Sequence, residues 1–471
     1  MALRLRHVLV LLACALAAPA AARADGSFTS SDLLLNRVWA GSVQTAADML
    51  APGPLATDSA GRPCAIDARV VILDGAVRDR CPYVGDEAVI DRTFDVSTPH
   101  WEIQRSMLAW FGGAQHTDGA IPASPIFGAT TVLFDYNAYW LLALHDYVLY
   151  SGDVSLAREL WPHVVRLIDV FYAAHTLPSG LLVNDLGPFD YAYVRRHGAT
   201  VAYFNAQEVY ALGRAATLAT WVGDGAHAAA WKARSARVAA AFAPAFWDAG
   251  AGAFSDTTND RATHPQDGNA FAVLSGVATK TQGTAALDYL WAHDRRDYGN
   301  TIVDRDAWDD PTWGWQSNQR VYPFMAYFEV GARFESGEDV PALDLLRRTW
   351  GYMILNGPGT MWETIGPYGG VPTDIHPSWD AGWSSGAAPA LTQYVLGVAP
   401  TAPGFATFTV TPHPGDLGSA SGDVPTPHGT IHVEWTNPGG KLALSVSAPT
   451  GTVWANAPKP VKAKSPKKQK R

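Results

Sequence analysis

From about residue 28 to 395, apolar side chains recur three and four positions apart in segments separated by short Gly, Pro and Asp breaks, the signature of successive amphipathic helices. In SGDVSLARELWPHVVRLIDVFYAAH, Ser151 and Asp153 are candidate caps, and Leu156, Leu160, Val164, Leu167, Ile168 and Phe171 share one face. GDGAHAAAWKARSARVAAAFAPAFWD is alanine-rich and amphipathic, and VPALDLLRRTWGYMILNG stops at a glycine after its last periodic residue. Short consensus repeats are absent, but helix pairs following one another over several hundred residues suggest a toroid of hairpins. After about residue 396 the period changes to two. FATFTVTPH, GTIHVEW and KLALSVSA read as strands, with Ile431, Val433 and Trp435 on one face and Leu442, Leu444 and Val446 on another. A small β-domain over 396–456 is therefore expected to follow a helical domain over 28–395.

The two ends differ from this body. Residues 1–24 join Arg4 and Arg6 to a short apolar run and the small-residue site Ala22-Arg23-Ala24, the layout of a secretion signal; Cys14 after Leu-Leu-Ala leaves a lipoprotein signal as the minor alternative. No later stretch has about 18 uncharged apolar residues, so no membrane span is expected. Residues 457–471 form a basic, low-complexity tail without the means to bury a core, expected to be disordered. The formal charge of −9 hides +3 in residues 1–24 and +7 in the tail, leaving −19 for the body. Such a body repels polyanions, and nucleic-acid binding is discarded. An exported chain keeps Cys64 and Cys81 where oxidation is allowed; a single disulfide and two buried thiols both remain open.

The chemistry concentrates in LDGAVRDRCPYVGD, residues 73–86. Gly75, Pro82 and Gly85 break helical periodicity around Asp74, Arg78, Asp79, Arg80 and Asp86, which makes a shaped loop of what would otherwise be a solvated face. Helix capping and mutual pairing is the bland explanation of such charges. The chain's 18 tryptophans favour another one, because carboxylates beside aromatic faces are suited to sugars. Most tryptophans should fill the core; Trp313, Trp315, Trp362, Trp379 and Trp383, in loops, are the better candidates for contact. Glycoside hydrolysis needs a second carboxyl group, and Glu363 in GTMWETIGPYGG is the candidate.

These residues resemble glycoside hydrolase family 78, the inverting α-L-rhamnosidases of the six-hairpin glycosidase superfamily. The family's loop signature is similar to Asp74, Asp79, Tyr83 and Asp86, and the resemblance continues in order through DYNAYWLLALHDYVLYSGD, PQDGNAFAVLSGVA, LDLLRRTWGYMI, MWET, AGWSSGAAPALTQYVLGV and PGFATFTVTPHPG. It implies a mainly α fold, an (α/α)6 toroid followed by a small C-terminal antiparallel β-sandwich, and an exo-acting glycosidase with a terminal rhamnoside as substrate. It further implies Asp79 as general acid and Glu363 as general base. Asp74, Arg78 and Asp86 would bind the sugar hydroxyls, and Tyr83, Trp140, Tyr191, Trp362 and Trp383 would be substrate-binding aromatics. The sequence departs from the pattern at Asp79, often Glu in the family, at Tyr83, usually Trp, and at Ala381, where many relatives place a sugar-binding histidine; His376 is a possible substitute. A rhamnose-releasing polysaccharide lyase, another six-hairpin glycosidase and a non-catalytic carbohydrate-binding relative are the alternatives. No HExxH, paired Cys-x-x-Cys, phosphate loop or dinucleotide fingerprint is present. No cofactor or metal is expected; Asp304, Asp306, Asp309 and Asp310 read as a solvated or capping cluster. The sequence leaves the oligomeric state open.

Overall fold

Twelve of the thirteen residues of the helix Val84–Val96 are buried, whereas Gly225–Phe246 buries one stripe, Ala228, Trp231, Arg234, Val238, Phe242 and Phe246. The contrast defines two layers. A helix apolar or buried all round belongs inside a ring of others, and a striped one belongs on its rim. The structure, a computed structural model, describes residues 25–57, 61–64, 66, 68–77, 80–125, 131–186, 190–192, 196–304, 319–371 and 378–457. Residues 1–24 and 458–471, which hold the expected signal and nearly all of the tail, lie outside them.

In chain order the helices are α1 (Leu33–Asp48), α2 (Val84–Val96), α3 (Trp101–Gly113), α4 (Tyr136–Ser151), α5 (Val154–Glu159), α6 (Trp161–Arg166), α7 (Ala202–Val222), α8 (Gly225–Phe246), α9 (Gln266–Leu274), α10 (Lys280–His293), α11 (Pro323–Glu335), α12 (Asp339–Leu346), α13 (Tyr352–Asn356) and α14 (Ala387–Ala390). A π-helical stretch, Leu167–Tyr172, continues α6; another, Arg347–Gly351, links α12 to α13; a third, Leu391–Leu396, extends α14. Helices α2, α4, α7, α9 and α11 each pack on the next, and Gly382–Gly386 leading into α14 packs on both α11 and α2, closing an inner ring of six. The helices between them in sequence form the outer layer. This is the mainly α six-hairpin toroid.

Local chemistry explains the boundaries. Asp153 accepts from Ser155 N–H at the start of α5, Asp32 from Leu34 and Leu35 at the start of α1, and Thr279 makes a capping box with Gln282 on α10. Gly152, Gly223 and Gly397 take left-handed conformations where helices end. The six apolar positions read along 156–171 are all buried.

The C-terminal sheet runs in the spatial order 27–30, 419–426, 429–436, 443–447, all antiparallel, beside a second sheet of 453–454, 407–410 and 398–400. Within the second sheet Val453–Trp454 pairs parallel to Thr407–Val410. Ile431, Val433 and Trp435 face the core, and Trp435 Nε1–H donates to Val395 O at 2.9 Å, joining the sheet to the ring. Ser27–Ser30, which the sequence assigns mostly to the head of the helical domain, is instead the edge strand of this sheet, because its backbone completes the ladder of Ser419–Thr426. Among the described residues no helix is long and apolar enough to cross a membrane.

Four carboxyl groups, Asp86, Glu87, Asp91 and Asp95, are buried along α2. Burial pushes the Glu87 carboxyl up to about 8; its hydrogen bond with Asp91 works against this and the charge of Asp86 adds to it. Asp91 is pushed well up, by burial first and by Glu87 next. The unfolded chain gives up the Glu87 proton near the usual glutamate value, and the folded chain holds it until about pH 8. Between those limits the native state binds more protons, so stability falls as pH rises, by up to about 1.4 kcal/mol per pH unit for a fully titrating group. Glu87→Gln is expected to flatten this decline between about pH 4.5 and 8, read from urea unfolding midpoints across that range.

Candidate active site

The stretch 73–86 is held at both ends by backbone hydrogen bonds. Leu73 N–H donates to Met49 O at 2.9 Å and Asp74 N–H to Cys81 O at 3.2 Å, which brings Asp74 and Cys81 side by side. Beyond Cys81, Val84 N–H reaches Ala123 O at 2.9 Å and Ser124 Oγ donates to Pro82 O at 2.7 Å. Tyr83 then stands at the N-cap of α2, half-buried, and Asp86 lies buried in its first turn, where the helix dipole favours a negative charge. Cys64 and Cys81 form a disulfide, with a Cα separation of 5.8 Å.

The other face of this loop is sewn to a segment three hundred positions away. Ala76 N–H donates to Asp380 O at 2.9 Å, Gly382 N–H to Asp74 O at 2.8 Å, and Val77 N–H to Ser378 Oγ at 3.1 Å. Ser378 in turn holds Glu363: its N–H donates to Glu363 Oε2 at 2.8 Å, and Glu363 N–H donates back to Ser378 O at 2.9 Å. Asp74 and Glu363, distant in sequence, thus flank one short segment, 378–382. Gly382 keeps this approach close: a Cβ there would come within 2.5 Å of Ile90 Cδ1, so the isoleucine end would have to shift. Glu363 is only 4% exposed.

Aromatic rings close the wall beside Glu363. Trp383 donates its indole N–H to Glu363 O at 3.0 Å and stacks on Phe324 at 5.1 Å; Tyr322 and Tyr191 meet it edge-on at 6.3 and 6.5 Å. Tyr191 is placed by charge. Its N–H donates to Asp135 Oδ2 at 3.0 Å, and the adjoining Asp190 grips Arg196 at 2.6 Å. Arg196 also pairs with Asp256 at 2.8 Å and with Asp267, whose carboxylate accepts from Tyr191 Oη at 3.4 Å. One guanidinium therefore ties Asp190, beside the wall tyrosine, to the start of α9. Burial and the charge of Asp190 push Asp135 up to about 8, and burial pushes Asp256 up to about 6.

The structure brings together Asp74, Tyr83, Asp86, Tyr191, Glu363 and Trp383 in the loops and helix starts at one end of the ring. Arg78 and Asp79 lie outside the described residues, as do Trp313, Trp315, Asp306, Asp309, Asp310 and His376. Trp140 corrects the sequence reading. It is fully buried in the middle of α4, its indole N–H bonded to Leu108 O at 3.2 Å and its ring against Gly112, so it packs α4 on α3. Trp362 is a core residue too. Adjacent residues of an extended segment face opposite ways, and its ring lies against Gly357, Tyr352 and Trp379, not in the wall. Tyr322, Phe324, Ser378 and the Arg196 network were not anticipated; Tyr322 before Pro323 could have been suspected as a residue at a helix mouth. Asp304 accepts from Tyr289 and contacts His264, a structural cluster. Among the described residues no group of three or more His, Cys, Asp or Glu is disposed to hold a metal ion.

Comparison with known proteins agrees with this architecture. Residues 69–302 match the bacterial alpha-L-rhamnosidase 6 hairpin glycosidase domain, and residues 397–469 match the bacterial alpha-L-rhamnosidase C-terminal domain. The chain belongs to the bacterial α-L-rhamnosidase family. It is 32% identical over 114 residues to an α-L-rhamnosidase of Alteromonas sp. (strain LOR), a match covering 21% of this chain and 11% of that one. Among solved structures, the GH78-family rhamnosidase of Bacillus sp. GL1 is 24% identical, with a TM-score of 0.69, covering 92% of this chain and 43% of that one. The Streptomyces avermitilis α-L-rhamnosidase complexed with L-rhamnose is 19% identical, with a TM-score of 0.70, covering 91% and 38%. The chain thus spans less than half the length of these two rhamnosidases, and its likeness to them is one of fold.

Two expectations follow from the supports of this candidate site. Replacing both Cys64 and Cys81 by serine removes a cross-link spanning 17 positions, and should cost about 3 kcal/mol of stability by the loop-entropy relation, read as a lower denaturant midpoint than the oxidised parent. Arg196→Met leaves three buried carboxyl groups without their cation and should cost at least about 3 kcal/mol. Thermal unfolding of the variant checks this, and an unchanged midpoint would contradict it.

Proposed function

We propose that the protein is an exported exo-α-L-rhamnosidase, which hydrolyses terminal α-L-rhamnosyl residues of glycosides or polysaccharides with inversion. The observation that carries this reading is the hydrogen-bonded path from Asp74–Val77 through Ser378 to Glu363, in a chain whose helical and β-domains both match the rhamnosidase family in order. The Streptomyces relative was solved in complex with L-rhamnose, which supports the choice of sugar. The signal-like residues 1–24 support export.

In this mechanism Asp79 gives a proton to the departing glycosidic oxygen. Glu363 takes a proton from water, which attacks the anomeric carbon from the opposite face. An inverting pair stands about 6.5–9.5 Å apart to leave room for that water. Asp74, Arg78 and Asp86 hydrogen-bond the sugar hydroxyls, while Tyr83, Tyr191 and Trp383, joined by Tyr322, shape the pocket. The Ser378 N–H, bonded to Oε2, orients the Glu363 carboxylate for this task. Trp140 and Trp362 take no direct part.

The departures at Asp79, Tyr83 and Ala381 favour a second reading, a relative that binds sugar without turning it over. Ala381 is fully buried and its backbone bridges Gly75, so it offers the sugar no side-chain hydrogen bond. Release of nitrophenol from p-nitrophenyl α-L-rhamnoside separates the readings. The parent protein is expected to turn over and to yield β-L-rhamnose first, seen by NMR of the nascent product. Asp79→Asn and Glu363→Gln should each lower kcat by about 10²- to 10⁴-fold with the melting temperature retained. A parent that binds rhamnose yet releases no nitrophenol would move the assignment to the binding relative.

A further inference from the structure

The inner ring also holds a small, partly open cavity, away from Glu363. It is lined by Arg92 of α2, Asp146 of α4, Tyr210 and Arg214 of α7, Tyr327 of α11, and Tyr394 in the stretch after α14. These residues lie one to three turns beyond the helix starts that carry the candidate active site; Asp146 is about 16 Å along its axis from Asp135. The cavity offers about 30 Å³, room for a water or a small ion and too little for a sugar ring.

Its lining is rich in donors. Among the described residues Arg214 makes one side-chain hydrogen bond, Nη2–H to Tyr210 Oη at 2.9 Å, with its guanidinium over the same ring at 4.8 Å. Among the described residues no carboxylate lies within the 4.0 Å of an ion pair with it. Asp146, the carboxylate on the cavity wall, is shared with other partners: Oδ2 accepts from Arg92 Nε at 2.6 Å and Oδ1 from His145 Nδ1 at 2.8 Å. Tyr327 Oη accepts from Arg92 Nη1 at 2.7 Å. Tyr210 and Tyr327 each use a lone pair on an arginine, so each retains its single proton for another acceptor. Tyr394 gives its proton to Glu335 Oε1 at 3.1 Å, just outside the wall. Two guanidinium groups and two hydroxyl protons thus face a small hole whose one lining carboxylate, Asp146, already accepts from Arg92 and His145, while Gln393 Oε1 takes a further Arg92 N–H at 3.4 Å. A partly buried cation with one neutral hydrogen bond is costly unless an anion or water supplies the rest.

We propose that this cavity binds a small monovalent anion of the halide class. The ion is held between Arg214 and the hydroxyls of Tyr210 and Tyr327, and bridges α7 to α2 and α11 at the end of the ring away from the sugar. Two guanidinium groups against one lining carboxylate favour an anion over a water, and the small volume favours a single atom. The proposal is independent of the glycosidase reading, because it concerns binding and stability and not turnover.

The test is a thermal-shift titration of the purified chain with sodium bromide replacing sodium gluconate at constant ionic strength. The parent should gain a saturable rise in melting temperature, and Arg214→Gln should lose it or require at least tenfold more bromide; Tyr210→Phe should weaken it. A rise of equal size and midpoint in Arg214→Gln, or no saturable difference between bromide and gluconate in the parent, overturns the site. Bromide-soaked crystals of the parent protect the test against a variant that fails to fold. An anomalous peak within hydrogen-bond reach of Arg214 Nη atoms is expected, and its absence from the cavity overturns the proposal.

Discussion

Closure of the inner helical ring is the constraint on which the remaining structure rests. The stretch Gly382–Gly386 packs against α2, and by doing so delivers the segment 378–382 to the loop that precedes α2. Without that contact Asp74 and Glu363 would belong to opposite ends of an open stack of helices. The closeness needed is severe: Gly382 sits against Ile90, and Gly386 would place a Cβ within 2.8 Å of Tyr327. Small residues at the seam are therefore conditions of the site and not incidental loop composition.

Ring closure also forces a dense burial of polar groups. The starts of α2, α4 and α9 carry Asp86, Asp135 and Asp267, all buried, into one end of the ring. Isolated carboxylates would be expelled or neutralised there. The chain answers with two devices: a single arginine, Arg196, shared among three carboxylates, and protons retained on Asp135 and Glu87. The polar layer near the candidate site is accordingly a rigid network whose members have little freedom to turn away from one another.

How legible this was in the sequence varied with the physics involved. Outer helices announce themselves because one face meets water, so Leu156 through Phe171 and the stripe of α8 could be read directly. Helix α4 is buried on nearly every side, and periodicity could not tell Trp140, locked between helices, from Trp383, set beside the pocket. The opening loop stood out by its charge and its glycines, and Glu363 by resemblance. Ser378, which joins the two, carries no signature at all, since its hold on Glu363 is made by the backbone N–H. Arg196 and Asp267 are 71 positions apart, a pairing that no local pattern encodes. The cysteines illustrate the same limit: two thiols and one bridge were equally compatible with the sequence, and the 5.8 Å Cα separation settles on the bridge.

The strand Ser27–Ser30 adds a temporal dimension to this architecture. Ser27 donates to Asp423 across 396 positions, so the segment next to α1 meets its partner only after almost every other element has been made. Contacts of such sequence separation are costly to close and are slow to form. The helical hairpins can assemble progressively as neighbours, while the clasp that fastens α1 to the β-domain arrives last. The molecule is in that sense a bracelet whose clasp joins its first strand to its last domain, and an interruption late in synthesis would leave a nearly complete ring without that clasp.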